Sequence, residues 1–272
     1  MSKNFNYVTV DEYQLEITTY CNAACPQCPR NIAGGKINPH LPLCHLSRET
    51  IDKAFTKELC NRLRQVFFCG SYGDPIVHPN FLDILKDFRK KNPTLWLYMH
   101  TNGGVHNADW WKELAQIING YGRFLKHETL KEQDSWQVTP QKQEPYKLEV
   151  TTLEEYRNNS MKNLGNLKKE YPVIKDYFNT TPIKCDACVG NKVTITAEGL
   201  VLPCNFFEHN LYDARFKGEQ VAPGANDLHF VNGKNQVEQF ITKYGKDSLN
   251  INTTTLENIF LNNFWNDLVS SW

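Results

Sequence analysis

Tyr13-Gln14-Leu15-Glu16-Ile17-Thr18-Thr19 leads through Tyr20 into Cys21-Asn22-Ala23-Ala24-Cys25-Pro26-Gln27-Cys28-Pro29-Arg30, and this junction decides how the chain is read. The first run alternates apolar and polar side chains, the period of a strand. The second places three cysteines within eight residues, so one short loop can turn three thiolates toward a single small inorganic centre. An odd count cannot pair off within itself, and the spacing is too tight for several structural disulfides. Thiolates are soft ligands that choose zinc or iron–sulfur clusters. Zinc sites usually close with four ligands, commonly as two separated pairs, and no fourth Cys or His lies in this loop. Three cysteines on a four-iron cluster would instead leave one iron open. On the residues alone, both metals stay open.

Outward from the loop, strand and helix signals alternate. Ser47 is placed to cap a helix whose apolar face is Ile51, Phe55, Leu59 and Leu63. Gln65-Val66-Phe67-Phe68-Cys69 reads as a second strand, apolar on both faces, and ends in Gly70-Ser71-Tyr72-Gly73-Asp74-Pro75. Pro79 opens a helix with Phe81, Leu82, Leu85 and Phe88 inward. Residues 95–100 read as a third strand ending in Thr101-Asn102-Gly103-Gly104, and Asn107 is placed to cap a helix carrying Trp110, Trp111, Leu114 and Ile118. Three such repeats predict a parallel sheet with helices outside, and sites in such folds sit at the carboxyl ends of the strands. The cysteine loop, residues 70–75 and residues 101–104 all fall at that edge. In purely structural terms, Gly73 and Gly103 make turns and Asp74 caps the following helix.

Cys21-x-x-x-Cys25-x-x-Cys28 after a first strand resembles the cluster motif of the radical S-adenosylmethionine (radical SAM) enzymes, although Gln27 stands where many members carry an aromatic residue. Gly73, Asp74 and Pro75, followed by His78-Pro79, resemble that family's glycine-glycine-glutamate-proline segment, with Asp in place of Glu. Thr101 and Asn102 resemble polar residues that line its pocket. The resemblance implies an α/β fold, a shortened partial (β/α) TIM-like barrel. It also implies a four-iron, four-sulfur (4Fe-4S) cluster on Cys21, Cys25 and Cys28, with S-adenosyl-L-methionine bound at the open iron and by Gly73, Asp74, Pro75 and Asn102. One electron from a donor such as flavodoxin or ferredoxin would cleave that cofactor. The resulting 5′-deoxyadenosyl radical would abstract hydrogen from a substrate.

A βα unit takes about 31 residues in an eight-unit barrel. Only 84 residues separate Thr101 from the next cysteine, Cys185, where the family's usual six-unit barrel needs three more units. Gly122-Arg123-Phe124-Leu125 reads as one short strand, residues 126–147 as irregular, and Thr152-x-x-Glu155 as a capping box for a helix through Lys169. The chain thus looks shortened by about two units. Cys185-x-x-Cys188 precedes two β-branched runs joined at Glu198-Gly199, which predict a hairpin that returns Cys204 to the other two. This pattern resembles the SPASM/twitch-like auxiliary iron–sulfur modules of many radical SAM enzymes, and a zinc knuckle is the alternative. A fourth ligand there would be Cys44, His209, substrate or a residue beyond Trp272. Modules of this kind accompany peptide or protein modification. Residues 209–235 read as loop, Gln236 to Tyr244 as a helix closed by Gly245, and Thr255 as the start of a last amphipathic helix. Relatives continue into more cysteines, so the module reads as truncated.

The expected organisation is a radical SAM core over 1–125, a linker and helix over 126–180, and an auxiliary module over 181–272. Hydrophobic content of 40% suffices for a packed core, and 30 basic residues balance 30 acidic ones, so no charge excess steers nucleic acid. No apolar run approaches membrane-spanning length. Nine cysteines without an apolar leader fit a reducing cytoplasm and metal binding. Cys60 and Cys69 read as incidental thiols. The alternative is a non-catalytic iron–sulfur or zinc protein, an incomplete relative of the same family.

Overall fold

The alternating run ahead of the cysteines folds as β1 (Glu12–Leu15) in the computed structural model, which describes residues 5–25, 28–32, 34–123, 169–170, 186–212 and 236–270. β2 (Gln65–Phe68), β3 (Trp96–Thr101) and β4 (Gly120–Arg123) follow, each parallel to its predecessor. β5 (Lys192–Ile195) pairs parallel with the other side of β1, and β6 (Val201–Leu202) runs antiparallel to β5. Among the described residues the order is β4-β3-β2-β1-β5-β6, and its two outer strands do not pair with each other. The sheet is therefore an open α/β arrangement, as a shortened partial barrel requires. The runs around Gly199 make the expected hairpin, with Gly199 at φ +89°, and they extend the same sheet as the N-terminal strands.

Register explains why the sheet holds. Val193, Tyr13, Val66 and Leu97 form one row across four strands, and Ile195, Leu15, Phe68 and Met99 form the next. All eight side chains are fully buried. Each contributes about 1.5–3 kcal/mol through apolar burial. The helices that cover this face follow from their caps. Ser47 Oγ accepts from Thr50 N at 3.1 Å to start α1 (Arg48–Ala54). The single helix expected from Ser47 instead breaks at Phe55, because Thr56 Oγ1 accepts from Leu59 N at 3.2 Å and starts α2 (Lys57–Arg62). α3 (Phe81–Lys91) begins at Phe81 rather than Pro79, since Asp74 has already capped a 3-10 turn at Pro75–Val77. That start places Ile84 in the core and leaves Leu82 half-buried. Asn107 caps α4 (Ala108–Ile117) as expected, accepting from Trp110 N at 3.0 Å.

Later in the chain come α5 (Asp186–Val189), α6 (Asn205–Tyr212) and α7 (Gln236–Tyr244). α6 corrects the reading of a loop from residue 209. Gly245, at φ +83°, closes α7. The last amphipathic stretch is two helices, α8 (Leu256–Phe260) and α9 (Asn263–Ser270). Trp265 seals the break between them by donating from its indole to Ile259 O at 2.9 Å, and its ring packs on Phe5. The helix expected from Thr152 and the irregular residues 126–147 lie outside the described residues, apart from Lys169. Among the described residues no helix is long and apolar enough to cross a membrane.

Candidate metal and cofactor site

Past Leu15 the chain stays buried to Thr19. Residues 29–45 leave this path and return to it. Thr19 Oγ1 donates to Pro42 O at 2.8 Å and accepts from Cys44 N at 2.9 Å, while Leu46 N donates to Ile17 O at 2.8 Å. The excursion is pinned beneath the cysteine loop by Arg30, only 6% exposed, whose Nε donates to Thr19 O at 2.9 Å. Within the loop, Cys28 N donates to Cys25 O at 3.1 Å, a tight turn that sets those two cysteines close in the chain path. Cys25 is exposed, and Cys21 and Cys28 are half-buried, all as free thiols.

Three loops meet over this turn. Asp74 N donates to Tyr20 O at 2.9 Å, which lays the glycine loop against the end of the first strand. A Cβ built on Gly73 would lie 1.9 Å from Thr18 O, so only glycine permits this approach. Asp74, 5% exposed, accepts from Thr101 Oγ1 at 2.8 Å, from Asn102 N at 2.7 Å and from Ile76 N at 3.2 Å. Both its oxygens are thus engaged by its own chain, as a cap and as a tie to the third-strand loop. Asn102 then reaches the cysteine loop itself, donating from Nδ2 to Cys21 Sγ at 3.5 Å and to Asn22 Oδ1 at 2.9 Å. Pro75 is buried at the start of the 3-10 turn.

Electrostatics follow from burial. Burial pushes the Cys21 thiol up, and the nearby Asp74 pushes it further, while the Ala23 N–H and Arg30 pull it down. Cys28 is also raised by burial and by Cys25 beside it, against the Arg30 N–H and guanidinium. The Asp74 carboxyl is raised by burial and held back by its three donors. A metal centre entering this loop has to displace thiol protons, which makes its binding pH-dependent. The residues fit a soft iron–sulfur or zinc centre: three free thiols on one short loop, with N–H groups of Ala23 and Asn102 already aimed at Cys21 sulfur. Among the described residues, no group of three or more His, Cys, Asp or Glu is gathered tightly enough to hold an ion as it stands. A cleft of about 660 Å³ is lined by Cys21 and Asn22 together with His78, His106 and Trp110.

Of the second cysteine set, Cys204 is half-buried at the end of the hairpin, just before α6. Cys185 lies outside the described residues, and Cys188 sits on α5 with its side chain outside them. Asn22, Arg30, Glu16 and Ser71 were not singled out from sequence, yet they tie the loops together. Glu16 carried a signal: it is a charged residue between apolar Leu15 and Ile17 in a strand-like run.

No family model matches the chain. A curated protein of Pyrococcus furiosus, the tungsten-containing aldehyde ferredoxin oxidoreductase cofactor-modifying protein, is 31% identical over 106 residues, 38% of this chain. The match spans 27% of that relative's length, about a quarter. Among solved structures, BtrN in complex with AdoMet and 2-DOIA aligns at TM-score 0.49 and 14% identity, over 96% of this chain and 85% of that one. Streptococcus suis SuiB bound to its precursor peptide SuiA aligns at TM-score 0.42 and 11% identity, over 92% of this chain and 70% of that one.

Proposed function

We propose that this chain is a radical SAM iron–sulfur enzyme, in which Cys21, Cys25 and Cys28 hold a four-iron, four-sulfur cluster and S-adenosyl-L-methionine binds at the same strand edge. The observation that carries this reading is the tie between the cysteine loop and the two loops beside it, through Asn102 to Cys21 Sγ and through Asp74 to Asn102 N and Tyr20 O. The stretch shared with a cofactor-modifying protein supports an enzyme that acts on another molecule. When bound, the cluster supplies one electron to the sulfonium of S-adenosylmethionine, which becomes the source of the hydrogen-abstracting radical.

The residues of the chain hold, orient and shield. Cys25 is the exposed one of the three proposed ligands. Asn102 fixes Cys21 and, through its N–H to sulfur, moderates the charge of that thiolate. Asp74 is engaged on both oxygens, so its part is to set the shape of the glycine loop, which leaves backbone groups of residues 70–75 to meet the methionyl end. Cys185, Cys188 and Cys204 are proposed ligands of an auxiliary cluster, and its resemblance to modules of peptide-modifying enzymes makes a peptide or protein the proposed substrate. An electron donor such as flavodoxin or ferredoxin and a cytoplasmic setting belong to the same reading.

The test is anaerobic reconstitution with iron and sulfide, followed by a dithionite assay for 5′-deoxyadenosine with S-adenosylmethionine alone. Product formation supports the enzyme. Protein that holds its iron and sulfide yet forms no product would make the chain a non-catalytic relative.

A further inference from the structure

The second face of the sheet carries side chains that the proposed chemistry does not use. Opposite the row of Val193, Tyr13, Val66 and Leu97, the strands turn Thr194, Gln14, Phe67 and Tyr98 the other way, in register. Two residues further along each strand, at the carboxyl edge, come Thr196, Glu16, Cys69 and His100. One side of this face is closed, with Thr194, Thr196, Gln14 and Glu16 at most 5% exposed. On the other side Phe67, Cys69, Tyr98 and His100 are only half-buried. β4 adds no bulk there, because Gly120 and Gly122 stand opposite Tyr98 and His100. Three of these side chains form a line: Tyr98 OH lies 3.2 Å from His100 Nε2, and His100 Nδ1 lies 3.9 Å from Cys69 Sγ. Phe67 holds the line in shape, stacked on Tyr98 with ring centroids 5.4 Å apart and edge-on to His100 at 4.8 Å. Its thiol end stands where two loops of the candidate site begin. Cys69 precedes the glycine loop, and His100 precedes Thr101 and Asn102, whose amide reaches Cys21 Sγ.

We propose that Cys69 donates a hydrogen atom to a carbon radical formed on the substrate, with His100 and Tyr98 as positioning residues that return its proton. This rests on the function proposed above and deepens it. A protonated thiol is the form that serves, since an S–H bond is weaker than most C–H bonds and a thiolate has no hydrogen to give. The site keeps that form: burial, with Glu16, Asp74 and Glu208 adding to it, pushes the Cys69 thiol up to about 12. In the step, the S–H bond breaks homolytically, a C–H bond forms on the substrate, and a thiyl radical stays on Cys69. The one-electron donor that serves the cluster reduces the thiyl to a thiolate. His100 then protonates sulfur from Nδ1, and Tyr98 OH replaces that proton at Nε2 and recovers its own from water. The substrate keeps its oxidation level and gains a hydrogen that came from solvent, so the class of reaction is inversion or rearrangement at carbon.

The test needs no substrate. Reconstituted protein in deuterium oxide, free of added thiols and reduced with titanium(III) citrate, is given S-adenosylmethionine, and the 5′-deoxyadenosine is weighed by mass spectrometry. With no substrate present, the S–D bond of Cys69 is the weak bond on offer, so wild-type product should carry one deuterium. Cys69→Ser keeps the shape but offers only a stronger O–H bond. In that variant and in Cys69→Ala the label should fall roughly tenfold or more. Unlabelled wild-type product, or label that survives in both variants, overturns the proposal and leaves the functional reading standing. His100→Gln should label the first equivalent of product and lose label in later ones, because the thiyl is no longer returned to a thiol. A merely structural role would lower the yield at a constant labelled fraction, and that result overturns the proton line. A second readout uses metal-free protein: the infrared S–H band that Cys69→Ala removes should persist at about pH 9, where an ordinary thiol is mostly ionised. Loss of that band in wild type overturns the donor. Iron-loaded protein that forms no 5′-deoxyadenosine at all overturns the functional reading, and this inference falls with it.

Discussion

Gly73→Ala tests how tightly the glycine loop is built onto the first strand. The new methyl would sit 1.9 Å from Thr18 O, 2.7 Å from Thr18 C and 2.9 Å from Tyr20 O. All three are backbone atoms of the segment between β1 and Cys21, so no side chain can swing away, and the loop itself has to lift. Overpacking by one methyl costs about 1–3 kcal/mol in ordinary cores, and a clash with rigid backbone belongs at or above the upper end. Lifting the loop also loses the Asp74 N–H bond to Tyr20 O, worth about 1 kcal/mol. The sum, about 4 kcal/mol, corresponds to a fall in Tm of roughly 8–16 °C for a chain of this size. Thermal melts followed by circular dichroism measure it. Two other glycines calibrate the result. Gly104→Ala meets only the amide tips of Asn22 and Asn102, which can rotate, and Gly245→Ala meets nothing within 4 Å but is held at φ +83°. Each should cost about 1 kcal/mol, the scale of local strain without a rigid clash. A Gly73→Ala protein that melts within about 2 °C of wild type, or no lower than Gly245→Ala, would refute the reasoning.

Cys25→Ala should abolish the first cluster, and iron content unchanged from wild type after reconstitution would refute the ligand set. Cys188→Ala should remove only part of the iron; complete loss or no loss would count against a separate second site. His78 gives a pH test: burial holds it down to about 4, with Nε2–H donating to Leu46 O at 2.9 Å and Nδ1 accepting from Asn80 N at 3.1 Å. The unfolded chain binds more protons than the fold between about pH 6.5 and 4, so stability should be lost as pH falls through that window, by up to about 3 kcal/mol. Urea unfolding at about pH 7 and 5 should show the drop in wild type and a smaller one in His78→Gln.

The cysteine loop was legible because few chemistries ask for three thiols in eight residues, and its place at a strand end followed from the alternation before it. Caps were legible too: Ser47, Asn107 and Thr255 accept the N–H bonds that their positions imply. Thr56 was missed because Ile51, Phe55, Leu59 and Leu63 keep a helical period across the break it makes, so periodicity outvoted a cap. Asp74 read as a cap and, by resemblance, as a cofactor contact; the cap onto Ile76 N is there, and the ties to Thr101 and Asn102 are what the sequence did not report. A side chain's partners are tertiary facts, and no local pattern reports them.

β5 lying beside β1 has a consequence for how the molecule comes into being. The strand that feeds the cysteine loop is interior to the sheet, yet one of its two neighbours is drawn from Lys192–Ile195, far along the chain. Until that stretch has been synthesised and docked, β1 presents a row of unpaired backbone groups next to the cysteine loop. Contacts of such long sequence separation slow folding, because a large loop must close before they contribute. An exposed edge also invites pairing with another copy of the chain. Ribosome-bound or C-terminally shortened chains ending before Lys192 should therefore aggregate through β1. The cysteine loop acquires its finished support only when nearly three-quarters of the polypeptide has been made.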